Sequence, residues 1–303
     1  MLRNRRLTGW WLGLLVAVIA LTVIAPLKGE TASVVPACGE MKLLLQPDYF
    51  TDRNEGYIKF WTTVKVLAME MGIPVTEAKN PYKEGSRKIV YMDTKARDLS
   101  KMHYIIRERV KVKDGNPEGL VDLTLRFRTS GVDAVPSAAV GAASGIKASI
   151  SYDDDVAGFV GGIAGNNVSE MSASCSIKKI PSADLRGRSL GDYARYFPGL
   201  LKLGVPLDAP LTAVNGKIVR EFKVSPGEFD FGQGIIGEAS ISLWFDYNTG
   251  KAIAAEFSFD SARGPKAPAA AVTKAEAFFN KIQERMGSVL APGQMKTQMV
   301  TGN

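Results

Sequence analysis

The feature that most constrains the fold is a succession of short β-type segments joined by tight-turn signals. Residues 104–112 and 120–128 favour extended strands, and Lys113-Asp114-Gly115-Asn116-Pro117 between them is a typical turn sequence. The segment Asn248-Thr249-Gly250-Lys251 provides a second tight turn. Other β segments are predicted at 41–45, 88–91, 211–214, 218–224, 239–247 and 252–259. Because strands joined by tight turns pair antiparallel, we predict a mainly antiparallel α+β fold.

Two helices are predicted beside these strands. Apolar residues recur at helical spacing from Ile58 to Met71, and Gly72 and Pro74 follow them. Near the C-terminus, Thr273 and Glu276 have the spacing of a capping box, and Gly287 is expected to end that helix.

The domain is predicted to extend over residues 38–290. Residues 129–170 are rich in Gly, Ala, Ser and Val, which indicates a loop region with one embedded strand near 146–154. Residues 291–303 are polar and are expected to form a flexible tail. No linker divides the domain, so we expect one folded unit.

The first 37 residues are predicted to be a signal peptide or a membrane anchor. Arg3, Arg5 and Arg6 precede an apolar run from Gly9 to Ile24 that contains no charge. An apolar run of this kind predicts a hydrophobic N-terminal helix, either cleaved or retained as an anchor in the inner membrane. We therefore expect an exported protein, periplasmic or secreted, that meets the membrane only through this segment.

Charge and cysteine content restrict the partners and the compartment. Removal of residues 1–37 takes four basic side chains and one acidic one, which reduces the net charge from +7 to +4. That balance argues against nucleic acid as a partner, because its binders concentrate Lys and Arg strongly. Cys38 and Cys175 are the only cysteines, and the sequence leaves open whether they form a disulfide or stay as two thiols.

Charged side chains alternate along several predicted strands. Arg107 and Arg109 leave one face of their strand, and Arg126 and Arg128 do the same on the hairpin partner. Guanidinium groups suit phosphate oxygens, and magnesium prefers carboxylates together with phosphate. Acidic candidates also recur, at Glu40, Asp153, Asp154, Asp155, Asp246 and Glu256. The alternative is that these rows are the solvated outer face of a sheet.

One stretch of motifs resembles the CYTH, or triphosphate-tunnel, family. Tyr91-Met92-Asp93-Thr94, then Ile106-Arg107-Glu108-Arg109, then Leu123-Thr124-Leu125-Arg126 follow the family's order and spacing. Glu40-Met41-Lys42 is similar to its opening strand, and Asp246 to Glu256 is similar to its late hairpin. The sequence departs from the family's Glu-x-Glu pairs at Cys38-Gly39-Glu40 and at Glu256-Phe257-Ser258, where one carboxylate of each pair is missing.

The resemblance implies that the α+β fold is mainly an antiparallel β-barrel or tunnel with flanking helices. The tunnel would have eight antiparallel strands and would bind triphosphate-type substrates with Mg²⁺ or Mn²⁺. It implies phosphate contacts from Lys42, Arg107, Arg109 and Arg126, with Arg128 as a further basic candidate. Glu40 and Glu256 would hold metal, with Asp153, Asp155 and Asp246 as additional candidates.

Three functional hypotheses follow from the sequence. The first is an exported CYTH-like domain that binds a phosphorylated or other anionic ligand, with weak or no turnover, because acidic residues are lost while basic ones remain. The second is a metal-dependent phosphohydrolase acting on tripolyphosphate or a triphosphate. The third is a non-catalytic structural or interaction domain.

Overall fold

The computed structural model describes residues 33–129, 135–137, 139–185, 187–293 and 295–302. The predicted hydrophobic N-terminal helix lies outside these residues. Within the described part of the chain, no helix is long and apolar enough to cross a bilayer.

Thirteen strands and five α-helices occur in the described residues. The strands are β1 (Ser33–Val34), β2 (Cys38–Leu45), β3 (Val75–Glu77), β4 (Gly85–Asp93), β5 (Tyr104–Lys113), β6 (Asn116–Thr129), β7 (Val135–Pro136), β8 (Ala148–Ala157), β9 (Val168–Pro181), β10 (Thr212–Val224), β11 (Gly227–Gly232), β12 (Ile235–Asp246) and β13 (Ala252–Ala262). The helices are α1 (Arg53–Glu70), α2 (Asp98–Lys101), α3 (Leu190–Ala194), α4 (Ala269–Met286) and α5 (Gln298–Thr301).

Nine of the strands close into a barrel. Their order is β10-β4-β5-β6-β9-β8-β2-β13-β12, and pairing of β12 with β10 completes the circle. All of these pairings are antiparallel except β2 with β8, which is parallel. The predicted mainly antiparallel barrel is therefore confirmed, whereas the expectation of eight antiparallel strands is wrong. The long connection between β2 and β8 contains helices α1 and α2 and strands β3 to β7. A crossover of this length permits a parallel pair.

Alternation along the strands separates a polar interior from an apolar exterior. On β5, Arg107 and Arg109 face inward, whereas Ile106 packs into an outer hydrophobic layer. On β13, Glu256 faces inward and Phe257 faces outward. Because successive side chains in a strand leave opposite faces, the same strands supply both the charged cavity and the outer core.

Two apolar layers cover the barrel from outside. The first joins α1 and α4 to the outer faces of β2, β12 and β13, and Phe229 contacts the rings of Trp61, Phe259 and Phe278 within it. The second places the segment around α3 against β4, β5, β6 and β9. Burial of the hydrophobic core outside the barrel leaves the interior free for polar side chains.

Several local predictions need correction. Helix α4 begins at Ala269 after Pro268, so Thr273 and Glu276 lie inside the helix and form no capping box. Gly287 does end the helix, as predicted. Strands β9 and β11 were not predicted, because their Ser-rich or Gly-rich sequences read as loop. Cys38 and Cys175 are both free thiols, the first exposed and the second buried in the outer layer.

Candidate functional site

The barrel encloses a polar cavity of about 230 Å³. Basic side chains outnumber acidic ones on its wall. The eight basic residues are Lys42, Arg87, Arg107, Arg109, Arg126, Arg128, Lys223 and Lys296, and the three acidic residues are Glu40, Glu221 and Glu256. Such a wall has an excess of positive charge, so an anion is the natural complement.

Among the arginine side chains of the cavity wall, Arg107 and Arg109 have the fewest acceptor groups to compensate their positive charge. The Nε atoms of both are buried and have no hydrogen-bond acceptor among the described residues. Arg107 donates from Nη2 to Thr124 Oγ1 at 3.4 Å. Burial lowers the pKa of Arg107, and repulsion from Arg107, with burial second, lowers the pKa of Arg109 to about 9. The two guanidinium groups therefore repel each other inside the cavity, yet both remain charged at neutral pH.

Lys42 is held between two carboxylates. Its Nζ lies 2.9 Å from Glu40 Oε2 and 2.5 Å from Asp155 Oδ2. Attraction to Lys42 lowers the pKa of Glu40 to about 2. Arg126 reaches the same Asp155 at 3.7 Å and donates to Ser174 Oγ at 2.8 Å. These contacts fix Lys42 and Arg126 on the wall and compensate part of their charge.

The C-terminal segment closes one end of the cavity. Lys296 lies 3.0 Å from Glu256 Oε1, and Arg128 donates to Thr297 Oγ1 at 3.2 Å. Beyond them, Val300 of α5 is fully buried against Tyr91 and Trp244 in a small apolar cluster. Residues 291–303 were predicted to be a flexible tail, but the described part of this segment packs into the barrel end. The sequence could not show this, because two buried apolar residues five positions apart, Met295 and Val300, are not a recognisable signal in a short polar stretch.

The predicted site residues divide into two groups. Lys42, Arg107, Arg109, Arg126, Arg128, Glu40 and Glu256 come together around the cavity, and Asp155 contacts it through Lys42. Asp246 does not, because its Oδ1 accepts hydrogen bonds from Asn248 and Thr249 in the β12–β13 turn. Asp153 also lies off the cavity wall, with Oδ2 accepting from Ser151 Oγ at 3.0 Å.

Asp93 of the Tyr-Met-Asp-Thr motif has a structural role. Its carboxylate accepts hydrogen bonds from the backbone of Thr94, Leu99 and Ser100 at 2.7–3.0 Å, and from Ser100 Oγ at 2.7 Å. These bonds fasten α2 to the end of β4 and set the position at which β5 begins. Asp93 therefore helps to position Arg107 and Arg109, whereas Tyr91 of the same motif lines the cavity.

Sequence reasoning missed several residues of the wall. Glu221 and Lys223 share a face of β10, and their two-residue spacing could have revealed them. Arg87 precedes the predicted strand at 88–91 by one residue. Lys296 carried no signal, since its position depends on how the segment after α4 returns to the barrel.

The carboxylates near the cavity do not fit a divalent metal. Mg²⁺ and Mn²⁺ need several oxygen ligands around one point. In the part of the chain that the structure describes, no three residues among His, Cys, Asp and Glu gather closely enough to hold a metal ion. Each inward carboxylate instead contacts a lysine or an arginine.

Fold and site together define a closed mixed β-barrel with a basic internal cavity. This is the kind of architecture that the CYTH resemblance implies. No family model matches the chain, and no curated protein matches it.

Solved structures show a distant likeness. A candidate adenylate cyclase from Bacillus halodurans is 14% identical over 87% of this chain and 96% of its own, with a TM-score of 0.41. A candidate adenylyl cyclase from Hippeastrum, for which a dominant triphosphatase activity is described, is 11% identical over 88% and 96%, with a TM-score of 0.42. The PH1819 protein from Pyrococcus horikoshii is 13% identical over 83% and 90%, with a TM-score of 0.31. Because all three scores are below 0.5, the fold assignment depends on the strand pairing described above.

Proposed function

We propose that this protein is an exported, divergent CYTH-like barrel that binds a small phosphorylated or other anionic ligand in its basic cavity without efficient turnover. The observation that carries the proposal is the pair Arg107 and Arg109. Both are on β5, both point inward, and neither forms an ion pair with a described carboxylate. Two like charges in an enclosed space are costly unless an anion compensates them.

The chemistry of the wall favours phosphate-type oxygens. Planar guanidinium groups donate two parallel hydrogen bonds to such groups. Arg107, Arg109 and Arg126 come from the adjacent strands β5 and β6, so their donors can converge on one ligand. The cavity volume of about 230 Å³ suits a compact anion.

Binding is proposed rather than hydrolysis because of the state of the carboxylates. A metal-dependent phosphohydrolase needs free carboxylates to hold its metal. Here Glu40 and Glu256 are ion-paired to lysines. Export is supported by the three N-terminal arginines and the uncharged apolar run that follows them.

The proposal can be tested by calorimetry on the full chain. Tripolyphosphate is titrated in EDTA into the wild type and into the Arg109→Gln and Arg220→Gln variants. Arg220 lies on the outer face of the barrel, where it donates to Ser86 Oγ at 2.7 Å and stacks over Phe222, so it controls for loss of any arginine. We expect binding by the wild type, about 10- to 100-fold weaker binding by Arg109→Gln, and near-wild-type binding by Arg220→Gln.

Two results would refute this function. Absence of binding by the wild type, with or without Mg²⁺, would leave a structural domain as the remaining hypothesis. Sustained phosphate release by the wild type would make the protein a hydrolase, and release is therefore measured in parallel.

A further inference from the structure

Lys296 occupies an unusual position for a residue so close to the C-terminus. Its Nζ lies 3.0 Å from Glu256 Oε1 and 3.9 Å from Glu221 Oε1, and it donates a hydrogen bond to Ser242 Oγ. The ammonium also lies 5.0 Å from the centroid of the Trp244 ring. One side chain from outside the barrel strands therefore bridges two carboxylates of its interior.

The segment around Lys296 is anchored on both sides of the barrel end. Asn215 donates to the carbonyl of Val300 at 2.9 Å, and Lys217 donates to that of Met299 at 2.8 Å. Arg128 binds Thr297 from the opposite wall. These contacts, together with the buried Val300, hold Lys296 in place, so its position does not depend on the ion pair alone.

The ammonium group of Lys296 is held by two carboxylates, at 3.0 Å from Glu256 Oε1 and 3.9 Å from Glu221 Oε1. A positive charge fixed between two carboxylates repels a second cation at the same place.

Lys42 on β2 repeats this arrangement between Glu40 and Asp155. Strand β2 pairs with β13, which carries Glu256. Four carboxylates that could have bound metal are thus divided into two pairs, each bridged by a lysine. Glu40 and Glu256 are the residues for which the family resemblance implied metal binding, and both are already compensated by an ammonium group.

From this geometry we infer that the ammonium group of Lys296 takes the place of a divalent metal ion between Glu221 and Glu256. It supplies the positive charge that a divalent metal would otherwise bring, and it makes anion binding independent of metal. The inference deepens the proposed function and rests on it in one respect, because the anion is bound by the same cavity. It assigns the C-terminal segment a direct part in binding and specificity.

The test compares Lys296→Met with the wild type in two separate measurements on the full chain. The first records Mn²⁺ uptake by electron paramagnetic resonance in the absence of any polyanion. The second measures the dissociation constant for tripolyphosphate in EDTA. Lys266→Met, an exposed lysine in the loop before α4, is the matched control, and Lys296→Arg retains the charge if the methionine variant does not fold.

The inference predicts a specific pattern. The wild type and Lys266→Met take up no Mn²⁺ and bind tripolyphosphate in EDTA. Lys296→Met takes up Mn²⁺ through the released Glu221 and Glu256, and its affinity for tripolyphosphate in EDTA falls about 10-fold or more. Lys296→Arg keeps most of the affinity.

Other outcomes separate the two proposals. Stoichiometric Mn²⁺ uptake by the wild type, or binding of tripolyphosphate only when metal is present, would overturn the role of Lys296 and leave anion binding intact. Unchanged affinity of Lys296→Met in EDTA would also overturn it. If no variant binds tripolyphosphate, the proposed function fails, whereas Mn²⁺ uptake by Lys296→Met still decides whether Lys296 replaces a metal.

Discussion

The mutual repulsion of Arg107 and Arg109 predicts that one binding-site substitution should stabilise the free protein. The pKa of Arg109 is lowered from its ordinary value to about 9, with repulsion from Arg107 as the first cause. At about 1.4 kcal/mol per pKa unit, this lowering corresponds to at most about 5 kcal/mol. Screening by solvent and salt, together with lost packing of the arginine stem, reduces the expected gain for Arg109→Gln to about 1–3 kcal/mol.

Denaturation experiments measure this effect directly. At about 2–4 °C per kcal/mol for a domain of this size, Arg109→Gln should raise the melting temperature of the anion-free protein by about 2–12 °C at low salt. High salt should reduce the difference, because it screens the repulsion. In saturating tripolyphosphate the wild type should have the higher melting temperature, since it gains more binding free energy than Arg109→Gln.

The pH dependence provides an independent check. A base whose pKa is lower in the folded than in the unfolded protein destabilises the fold below the folded pKa, and this penalty disappears as pH rises toward the unfolded value. For Arg109, this penalty begins to disappear as the pH rises above about 9. The stability difference between Arg109→Gln and the wild type should therefore shrink between pH 8 and about pH 11.

A lower melting temperature for anion-free Arg109→Gln at low salt would refute the reasoning. It would mean that the guanidinium group is compensated in solution or that its packing outweighs the repulsion. Arg220→Gln is again the control, and we expect it to be destabilised, because it loses a hydrogen bond and a stacking contact without relieving any repulsion.

Two further predictions concern the motif and the N-terminus. Asp93→Ala removes the acceptor of four hydrogen bonds, so it should lower the free energy of unfolding, measured by urea denaturation, by about 2–4 kcal/mol. Asp93→Asn should lower it by about half as much. An unchanged free energy of unfolding in Asp93→Ala would contradict the structural role of Asp93. The full chain carrying a C-terminal tag should be recovered outside the cytoplasm or in the membrane fraction, and purely cytoplasmic recovery would refute export.

Much of the barrel was predictable from local sequence signals. In the hairpin of β5 and β6, two segments with β-type sequence are joined by a short turn, so they can pair only with each other in antiparallel fashion. The late hairpin of β12 and β13 was predictable for the same reason. Arg107 and Arg109 could be assigned to one face because spacing along a strand determines the side on which each residue lies. The Ser-rich β9 escaped prediction, since its serines face the polar interior and leave little hydrophobic alternation to detect.

Strand spacing alone allowed the charged rows to face either solvent or an interior. Closure of the barrel through β10 and β12 decided between these alternatives, because it turns one face of every strand inward. The parallel contact of β2 with β8, and the separation of Asp246 from the cavity, likewise depend on pairing between distant segments.

The sequence by itself determined the hairpins, the helical segments and the rows of basic side chains, since these depend on residues a few positions apart. Only the tertiary structure decided which charges meet, because distances between strands far apart in sequence are set by barrel closure and outer packing. Lys296 is the clearest example: its neighbours in the chain say nothing of its role, and its contacts with Glu221 and Glu256 exist only because the C-terminal segment folds into the end of the barrel.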